Sequence, residues 1–421
     1  MMLDLDGLRE IGHTLGRNKV RTALTAFGVF WGIFMLMVML GAGNGLQRGV
    51  DASFSGTATN TFFMWTQRTS RPWSGLPAGR TFELANSDVE AIRQRIDGAS
   101  IIAPRIQLGG FGEGVSVERA GRAGGFNVNG DVPEIFRLQS MRLVEGRFLN
   151  PRDLEERRKV AVIGQRVLEV LFDRGEDPVG KHVRIQNVPF QVIGVFRPTS
   201  SGGDADRASR TIHVPFTTFQ QAFHRGDEVD WLAISSSDGI RASAVKDEVE
   251  TLLKARHRVA PDDRRAFGHF NIEEEYLKVQ GLFRGISLLV WIVGFGTLAA
   301  GVIGVSNIMT IIVKERTGEI GIRRAIGATP RRVLGQIVLE ALLLTGAAGA
   351  TGLILGAGSI ELLAQALAAQ GESTTMFRQP GVTFESAVAA MSTLVLAGVI
   401  AGLLPARRAL AISPVAALQG D

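Results

Sequence analysis

One stretch of the 421-residue chain has nearly the spacing of a nucleotide-binding loop. Gly175, Gly180 and Lys181 match the pattern G-x-x-x-x-G-K-[ST], in which backbone N–H groups hold phosphates and a hydroxyl group binds Mg²⁺. Here His182 occupies the hydroxyl position, and the residues after it alternate as in a strand instead of opening a helix. We therefore reject a phosphate-binding role for this stretch.

Elsewhere the sequence contains no spacing of side chains that predicts catalysis or metal binding. Cysteine is absent, the six histidines show no ligand spacing, and no activated nucleophile or carboxylate pair can be assigned. No basic stripe interleaved with aromatic residues indicates a nucleic acid as a partner. We expect no catalytic residue, no metal and no cofactor in this chain, so any energy it uses must come from another polypeptide.

Four stretches of the chain are almost free of charge, and they determine its class. A helix needs about 20 apolar residues to cross a bilayer, and even the shortest stretch, 386–406, has 21 residues. The sequence therefore predicts four transmembrane helices and excludes a soluble enzyme. Residues 48–284, between the first two spans, are mixed in composition and long enough to bury a core of their own.

The distribution of basic residues predicts the orientation. Four basic residues precede the first span, six lie at 314–332 and two in the tail, whereas 361–385 contains only Arg378. Basic residues concentrate on the cytoplasmic side, where anionic membrane lipid attracts them. We expect both termini and segment 314–332 in the cytoplasm, and the large domain on the periplasmic side of a bacterial inner membrane.

These patterns divide the chain into nine segments. The first, 1–21, places Leu8, Ile11 and Leu15 on one helical face and predicts an amphipathic interfacial helix; the alternative is a solvated leader. The remaining segments are transmembrane helix 1 at 22–47, the periplasmic domain at 48–284, transmembrane helix 2 at 286–313, a cytoplasmic segment at 314–332, transmembrane helix 3 at 333–360, a short periplasmic loop at 361–385, transmembrane helix 4 at 386–406 and a cytoplasmic tail at 407–421.

The large domain is predicted to mix α and β structure. Segments 66–80 and 198–210 are rich in Gly, Ser, Pro and Arg and predict mobile loops, and a boundary near residue 130 is one way to form two subdomains. Helices are predicted at 87–96, 165–172, 217–223 and 242–256, and strands at 159–163, 182–185, 190–196, 211–214 and 231–235.

Apolar residues recur at helical spacing on the far side of spans one and two. This indicates that both helices continue out of the membrane as a two-helix stalk. The alternative is that each stripe packs on the core of the large domain. The residues are Leu46, Val50 and Phe54 after span one, and Ile272, Tyr276, Val279 and Phe283 before span two.

Small residues spaced four apart occur in every span, and such rows let helix backbones approach closely. They predict a tightly packed bundle, with a dimer seam as an option. Glu340 is expected to reach the interface or cap a helix end locally instead of binding an ion. The rows are Gly28 and Gly32, then Gly296, Ala300 and Gly304, then Gly352 and Gly356, and finally Gly398 and Gly402.

Several motifs together resemble a known family. After span two the sequence NIMTIIVKERTGEIGIRRAIGA at 307–328, with the closing GLLPARRALAISPVAAL at 402–418, resembles the FtsX-type permease domain of the MacB family of ABC transporters. Within the large domain, EGRF at 145–148, VAVIG at 160–164, DPVGK at 177–181 and VPFQVIGV at 188–195 resemble the MacB-type periplasmic core. The resemblance covers nearly the whole chain.

The resemblance implies four spans per subunit, a dimer, and coupling of a cytoplasmic ATPase to the periplasmic domain through the segment after span two. The ATPase would bind ATP and Mg²⁺. Because only 21 residues precede span one, the chain resembles a stand-alone permease with the ATPase on a separate subunit. The residues expected to contact it are Glu315, Arg316, Glu319, Arg323 and Gly327; the alternative for these charges is a solvated loop.

The function predicted is therefore that of a non-catalytic permease subunit, which transmits ATP-driven movement to the periplasm and exports a substrate. Further partners that the resemblance implies are a second copy or a related permease, a periplasmic adaptor and an outer-membrane channel. Alternatives with the same fold are a regulator of periplasmic partners such as cell-wall hydrolases, and lipoprotein release. A membrane sensor with a periplasmic input domain is the alternative from another class.

Overall fold

A computed structural model describes residues 19–54, 58–109, 114–139, 141–199, 203–369 and 380–410. Most of the predicted helix at 1–21, part of the loop at 361–385 and most of the tail at 407–421 lie outside the described residues. The described chain divides into two compact units. We call Asp51–Gln280 the inserted domain, and Met1–Val50 with Gly281–Asp421 the membrane unit.

Helices and strands are numbered in chain order. The helices are α1 Lys19–Phe54, α2 Asn86–Arg95, α3 Ile135–Leu138, α4 Pro151–Glu155, α5 Gln165–Leu171, α6 Gly203–Ser209, α7 Phe216–Ala222, α8 Ala242–Arg256, α9 Ile272–Glu315, α10 Thr317–Ala325, α11 Pro330–Ala369 and α12 Phe384–Leu410. The strands are β1 Thr61–Thr66, β2 Leu84–Ala85, β3 Ala99–Leu108, β4 Val115–Arg119, β5 Arg122–Asp131, β6 Met141–Gly146, β7 Val160–Gly164, β8 His182–Ile185, β9 Val188–Pro198, β10 Thr211–Pro215, β11 Glu228–Val229, β12 Trp231–Ser236 and β13 Phe267–Asn271.

Four helices of the described chain, α1, α9, α11 and α12, are long and apolar enough to cross a membrane. The prediction of four spans is therefore confirmed. The helices are longer than the apolar stretches, since polar residues at their ends are also helical. The helix α9, for example, has 44 residues, whereas the sequence predicts a span only at 286–313. The unit boundaries at residues 50 and 280 consequently fall inside helices α1 and α9.

The inserted domain begins and ends in an antiparallel sheet with strand order β13-β1-β12-β3. Alternation along β1 buries Phe62 and Met64 completely on the face that α8 covers. The opposite face carries Phe63, which is half-buried, and Phe270, which is exposed. The neighbouring strands β1 and β13 come from the two ends of the inserted domain, so their pairing holds together the chain that comes from α1 and the chain that leads into α9.

The middle of the domain forms a closed ring of strands. In the described residues, β5, β4, β8, β9, β7 and β10 pair in that order, and β10 closes the ring by pairing in parallel with β5. β3 pairs with β12 through its first part and with β5 through its last three residues, so the ring continues from the first sheet. The predicted domain of mixed α and β structure between the first two spans is confirmed. β5 ends at Asp131, so the suggested boundary near residue 130 coincides with the end of this strand, and the division into two subdomains stays a prediction.

A buried ionic network lies where the sheet and the ring meet. Asp131 accepts hydrogen bonds from the guanidinium of Arg105 on β3 and from His213 Nδ1 on β10, the latter at 2.6 Å. Burial alone raises the pKa of Asp131, but the charge of Arg105 and the His213 hydrogen bond outweigh it and lower that pKa. Burial also lowers the pKa of His213. The network therefore joins three strands through one ionised carboxylate.

Three segments predicted as loops or connections differ in the structure. The false nucleotide-binding loop connects α5 to β8, and Lys181 leads into a strand, as expected. The predicted loop at 198–210 instead contains the helix α6. In segment 66–80 only Thr66, the last residue of β1, belongs to a strand of the main sheets, but hydrogen bonds to Asp263 hold the segment in place.

Candidate functional site: the short helix after the second span

The helix α10 lies between two of the long helices. The chain leaves the helical conformation at Arg316, where φ is −99° and ψ is 14°, so α10 is a separate element from α9. The Oγ1 of Thr317 donates a hydrogen bond of 2.7 Å to the carbonyl of Lys314 and stabilises this turn. α10 is thus short and stands directly at the end of α9.

Gly327 ends α10 and turns the chain toward α11. Its φ of +105° lies in a region that favours glycine. The N–H of Gly327 bonds to the carbonyl of Arg324 at 3.1 Å, and that of Ala328 to the carbonyl of Arg323 at 2.9 Å. This pair of bonds is the Schellman motif. Gly327, predicted as a contact residue, therefore has a structural role at the turn.

The two faces of α10 differ. Gly321 is buried and Ile320 packs against the core of the membrane unit. On the other face Glu319 is exposed, and Ile322 and Ile326 are 49% and 82% exposed. Exposed branched apolar side chains beside charged ones are typical of a protein interaction surface.

An ion pair and a hydrogen bond between side chains connect α10 to α11. Arg316 lies 3.3 Å from the carboxylate of Glu319 and 3.7 Å from that of Glu340, whose side chain is buried. Arg323 Nη1 donates a hydrogen bond of 3.2 Å to Gln336 Oε1. The side chain of Glu340 therefore does not extend to the membrane interface, although the sequence suggested this. It stays buried beside Arg316 of the same chain. α10 is connected to α9 through the backbone and to α11 through these side chains.

Helix α1 approaches α9 at glycines. A β-carbon added at Gly28 would lie 3.3 Å from the Cα of Gly301, and one at Gly32 would lie 3.3 Å from the backbone nitrogen of Leu298. The predicted row on α9 does not make this contact: Gly296 and Ala300 are exposed and Gly304 is half-buried. The packing face of α9 is the neighbouring row Gly294, Leu298, Gly301 and Val305. In the sequence this face could have been recognised from Gly294 and Gly301, which are seven residues apart.

The predicted glycines of α11 and α12 lie at helix contacts. A β-carbon at Gly352 would lie 2.5 Å from the carbonyl oxygen of Phe30, and one at Gly356 would lie 2.8 Å from the Cβ of Met37. These contacts place α11 against α1.

On α12, Gly398 faces the Thr345 side chain, and a β-carbon at Gly402 would lie 2.8 Å from the Cα of Val338. α12 therefore packs on the first half of α11. Sequence reasoning missed Gly349, which meets Leu394 of α12, and Gly41, which meets Ile360 of α11.

The residues expected in the stalk lie on continuous helices. Leu46 and Val50 of α1 are half-buried, and Phe283 of α9 is buried, in the membrane unit. In the inserted domain Ile272 is buried and Val279 half-buried. There the rings of Phe54 and Tyr276 meet edge to face at 5.5 Å between centroids, so the ends of α1 and α9 contact each other.

Comparisons with known proteins agree with this architecture. The family model described as the MacB-like periplasmic core domain matches residues 22–252. The model described as the FtsX-like permease C-terminal region matches residues 291–414. Solved structures to which this chain is similar include the periplasmic region of MacB from Actinobacillus actinomycetemcomitans, with TM-score 0.42 and 19% identity over 54% of this chain and 95% of that one.

Curated relatives match along nearly the whole chain. The pyoverdine export ATP-binding/permease protein PvdT of Pseudomonas putida is 32% identical over 99% of this chain and 60% of its own length. The macrolide export ATP-binding/permease protein MacB of Rhodospirillum rubrum is 31% identical over 99% of this chain and 60% of its own length. The chain thus spans about 60% of the length of these relatives. Since the core-domain model covers more than half of the chain and the permease model most of the rest, the chain belongs to the MacB-type permease family.

Proposed function

We propose that this chain is the permease subunit of a MacB/FtsX-type ABC transporter that exports a substrate. Membership of the family implies an ABC ATPase partner. In the proposal this ATPase is a separate cytoplasmic subunit that binds ATP and Mg²⁺, and the chain itself is non-catalytic. Hydrolysis moves the membrane unit, and the movement of the inserted domain drives the substrate outward, a mechanism called mechanotransmission.

The proposed orientation rests on where charges gather in the bundle. α12 runs antiparallel to α11, since Gly402 meets Val338 near the start of α11. The exposed Arg407 and Arg408 therefore lie at the same end of the bundle as α10. The opposite end holds the hydrogen bond of 3.1 Å from Asn44 Nδ2 to the carbonyl of Gly381. With the basic end in the cytoplasm, both termini are cytoplasmic and the inserted domain is periplasmic.

The observation that carries the proposal is the construction of α10. Its exposed face offers Glu319, Ile322 and Ile326, while Arg316 and Arg323 connect it to α11. An ATPase that binds this face and moves it would displace α9 and α11 together. α9 then continues without a break from Glu315 to Ile272, so displacement at one end is transmitted along the helix.

Further partners belong to the same proposal. A second copy or a related permease completes the membrane part, and a periplasmic adaptor and an outer-membrane channel receive the substrate. The relatives are named for export of two different compounds, pyoverdine and macrolides. The proposal therefore concerns export as such and assigns no particular substrate.

The first experiment tests the ATPase contact. The tagged chain is purified from its native host in mild detergent, and co-purifying proteins are identified by mass spectrometry. Ile326→Asp and Glu319→Arg should lower the yield of an ABC ATPase at least about tenfold, because a contact worth about 1.4 kcal/mol changes binding by that factor. Glu361→Arg, an exposed charge reversal at the other end of α11, is the control. Undiminished ATPase with both α10 variants would contradict the α10 assignment.

The second experiment tests transmission. Because the chain contains no cysteine, Leu277→Cys introduces one thiol at an exposed position of the stalk region of α9. Disulfide formation between two copies is measured in membranes with and without ATP and vanadate, with Ile240→Cys as the control in the same domain. The yield at position 277 should depend on nucleotide. Equal yields would oppose mechanotransmission.

A further inference from the structure

The loop between β1 and β2, which we call the Trp73 hairpin (residues 66–80), exposes a large aromatic side chain at its tip. Trp73 and Leu76 exchange backbone hydrogen bonds of 3.0 and 2.9 Å. Between them Ser74 and Gly75 both have positive φ, +52° and +78°, as a two-residue type I′ turn requires. The Trp73 side chain is 48% exposed. The hairpin is a defined turn with its tryptophan toward solvent.

A carboxylate from a distant part of the chain holds the base of the hairpin. Asp263 is fully buried. It accepts hydrogen bonds from the N–H and hydroxyl of Ser70 at 2.7 and 2.6 Å, and from the N–H of Arg71 at 3.2 Å. The N–H of Thr69 bonds to the carbonyl of Arg80 at 3.0 Å, and Arg80 Nη2 donates to the carbonyl of Arg258 at 2.9 Å. The position of Trp73 is thereby fixed from both strands of the hairpin.

The hairpin and the segment that holds its base carry mostly basic side chains at the surface. In segments 66–80 and 257–265, which the structure describes completely, the one exposed carboxylate is Asp262, and it pairs with Arg71. The exposed arginines of the same two segments are Arg68, Arg71, Arg258, Arg264 and Arg265.

The hairpin stands at one end of the domain. β1 runs from the end of α1 toward the hairpin, and β13 runs back from segment 257–265 into α9. The hairpin therefore lies at the opposite end of these strands from α1 and α9, about 20 Å along a six-residue strand. It is far from the stalk residues that contact each other.

We propose that the Trp73 hairpin is a preformed docking element for a partner protein whose surface offers an apolar pocket with an acidic rim. Tryptophan and arginine are the residues most enriched among those that dominate binding energy at protein interfaces. Fixing the loop in advance removes the entropy cost of ordering it on binding. The charge of the arginines selects an acidic surface. A lipid surface fits less well, because a single tryptophan on a rigid turn flanked by Pro72 and Pro77 offers little apolar area.

The test uses the full chain in its native host. A photo-reactive amino acid is placed at position 73 and, as a control, at the exposed Ile240 of the same domain. We expect one discrete protein adduct at 73 that is missing at 240. Charge reversal by Arg68→Glu with Arg264→Glu should lower its yield at least about tenfold, whereas Arg142→Glu, an exposed arginine on β6, should not.

The protein identified in the adduct is then purified and its binding to the full chain is measured. Trp73→Ala should weaken binding at least about tenfold, and binding should fall with added salt. Adducts with lipid or with a second copy of this chain, no adduct, or a yield insensitive to charge reversal would each overturn the proposal. The docking proposal rests on the proposed function only for the periplasmic location of the hairpin. Because ATPase co-purification is measured independently, the docking proposal and the proposed function can fail separately.

Discussion

The two units of this chain are packed with opposite kinds of side chains. The inserted domain buries large rings: Phe62, Phe190 and Phe219 are fully enclosed. In the membrane unit the helices meet at glycines such as Gly28 and Gly352. Water drives apolar side chains together in the first case, but in lipid this drive is missing and close backbone approach must replace it.

The difference teaches that opposite kinds of change destabilise the two units. Removing atoms from a buried ring leaves a cavity in the inserted domain, whereas adding atoms at a glycine separates helices in the membrane unit. Each unit therefore has its own most sensitive positions, and substitutions at matched exposed positions should leave both intact.

The largest effect is expected for Phe219→Ala in α7. Phe219 is fully buried, and its ring centroid lies 4.8 Å from that of Phe223. The loss should be about 3–5 kcal/mol in the free energy of unfolding, the range for a large ring removed from a core. Proteolysis of the inserted domain in the full chain at increasing urea concentration measures it. Phe270→Ala, at a ring that is 47% exposed, is the control and should cost under about 1 kcal/mol. Equal losses of stability for Phe219→Ala and Phe270→Ala would show that ring burial does not determine the stability of the inserted domain.

Gly352→Leu in α11 should be the most damaging change in the membrane unit. Its β-carbon would lie 2.5 Å from the Phe30 carbonyl oxygen, so α1 must move away, at a cost of about 3 kcal/mol. Thermal unfolding of the detergent-purified chain should show a lowered midpoint. Gly358→Leu, on the same helix with no atom within 4 Å among the described residues, should leave the midpoint near wild type. A similar loss at both positions would mean that helix propensity or insertion, and not backbone contact, explains the effect.

These contrasts also explain how far the sequence predicts the fold. The four spans are predictable because an apolar run is a local signal, and the strand at 182–185 and the helix at 242–256 coincide with β8 and α8 for the same reason. The glycine row of α1 was found, but on α9 the row of spacing four, with Gly296 and Ala300, is not the row that meets α1. Spacing identifies a stripe on a helix and not the neighbour that covers it.

The features that sequence reasoning missed depend on distant residues. Ser70 is fixed by Asp263, 193 positions away, so segment 66–80 resembles a mobile loop in the sequence. The ring closes through the parallel pair β5 and β10, which no turn connects. At the candidate site the charges of α10 were predicted, but the connection of Arg316 to Glu340 required the packing of α10 on α11. Non-local contacts of this kind leave no periodic pattern.

A smaller effect is expected for Asp88→Asn at the start of α2. Burial raises the pKa of Asp88, but hydrogen bonds from His257 and Arg256 outweigh it and lower the pKa from 3.8 to about 2. Because the folded pKa is below the unfolded one, the stabilisation is complete above about pH 4 and is lost as the pH falls to about 2. It amounts to about 2 kcal/mol. The wild-type and variant unfolding midpoints should therefore differ at pH 7 and converge near pH 2. A pH-independent difference would attribute the loss to packing instead of charge.

The smallest effect is expected for Glu90→Gln, two residues further along the same helix. Glu90 forms an ion pair of 3.0 Å with Arg93, and both side chains are more than half exposed. Water and salt screen such a pair, so the change should alter stability by less than about 0.5 kcal/mol, and less still at 1 M salt. The unfolding midpoint of the full chain at pH 7, measured beside Asp88→Asn, provides the comparison. If Glu90→Gln lowered the stability as much as Asp88→Asn, burial would not determine how much a charged group contributes to the stability of this domain. The difference between enclosed and exposed groups would then be absent even between two carboxylates of one helix.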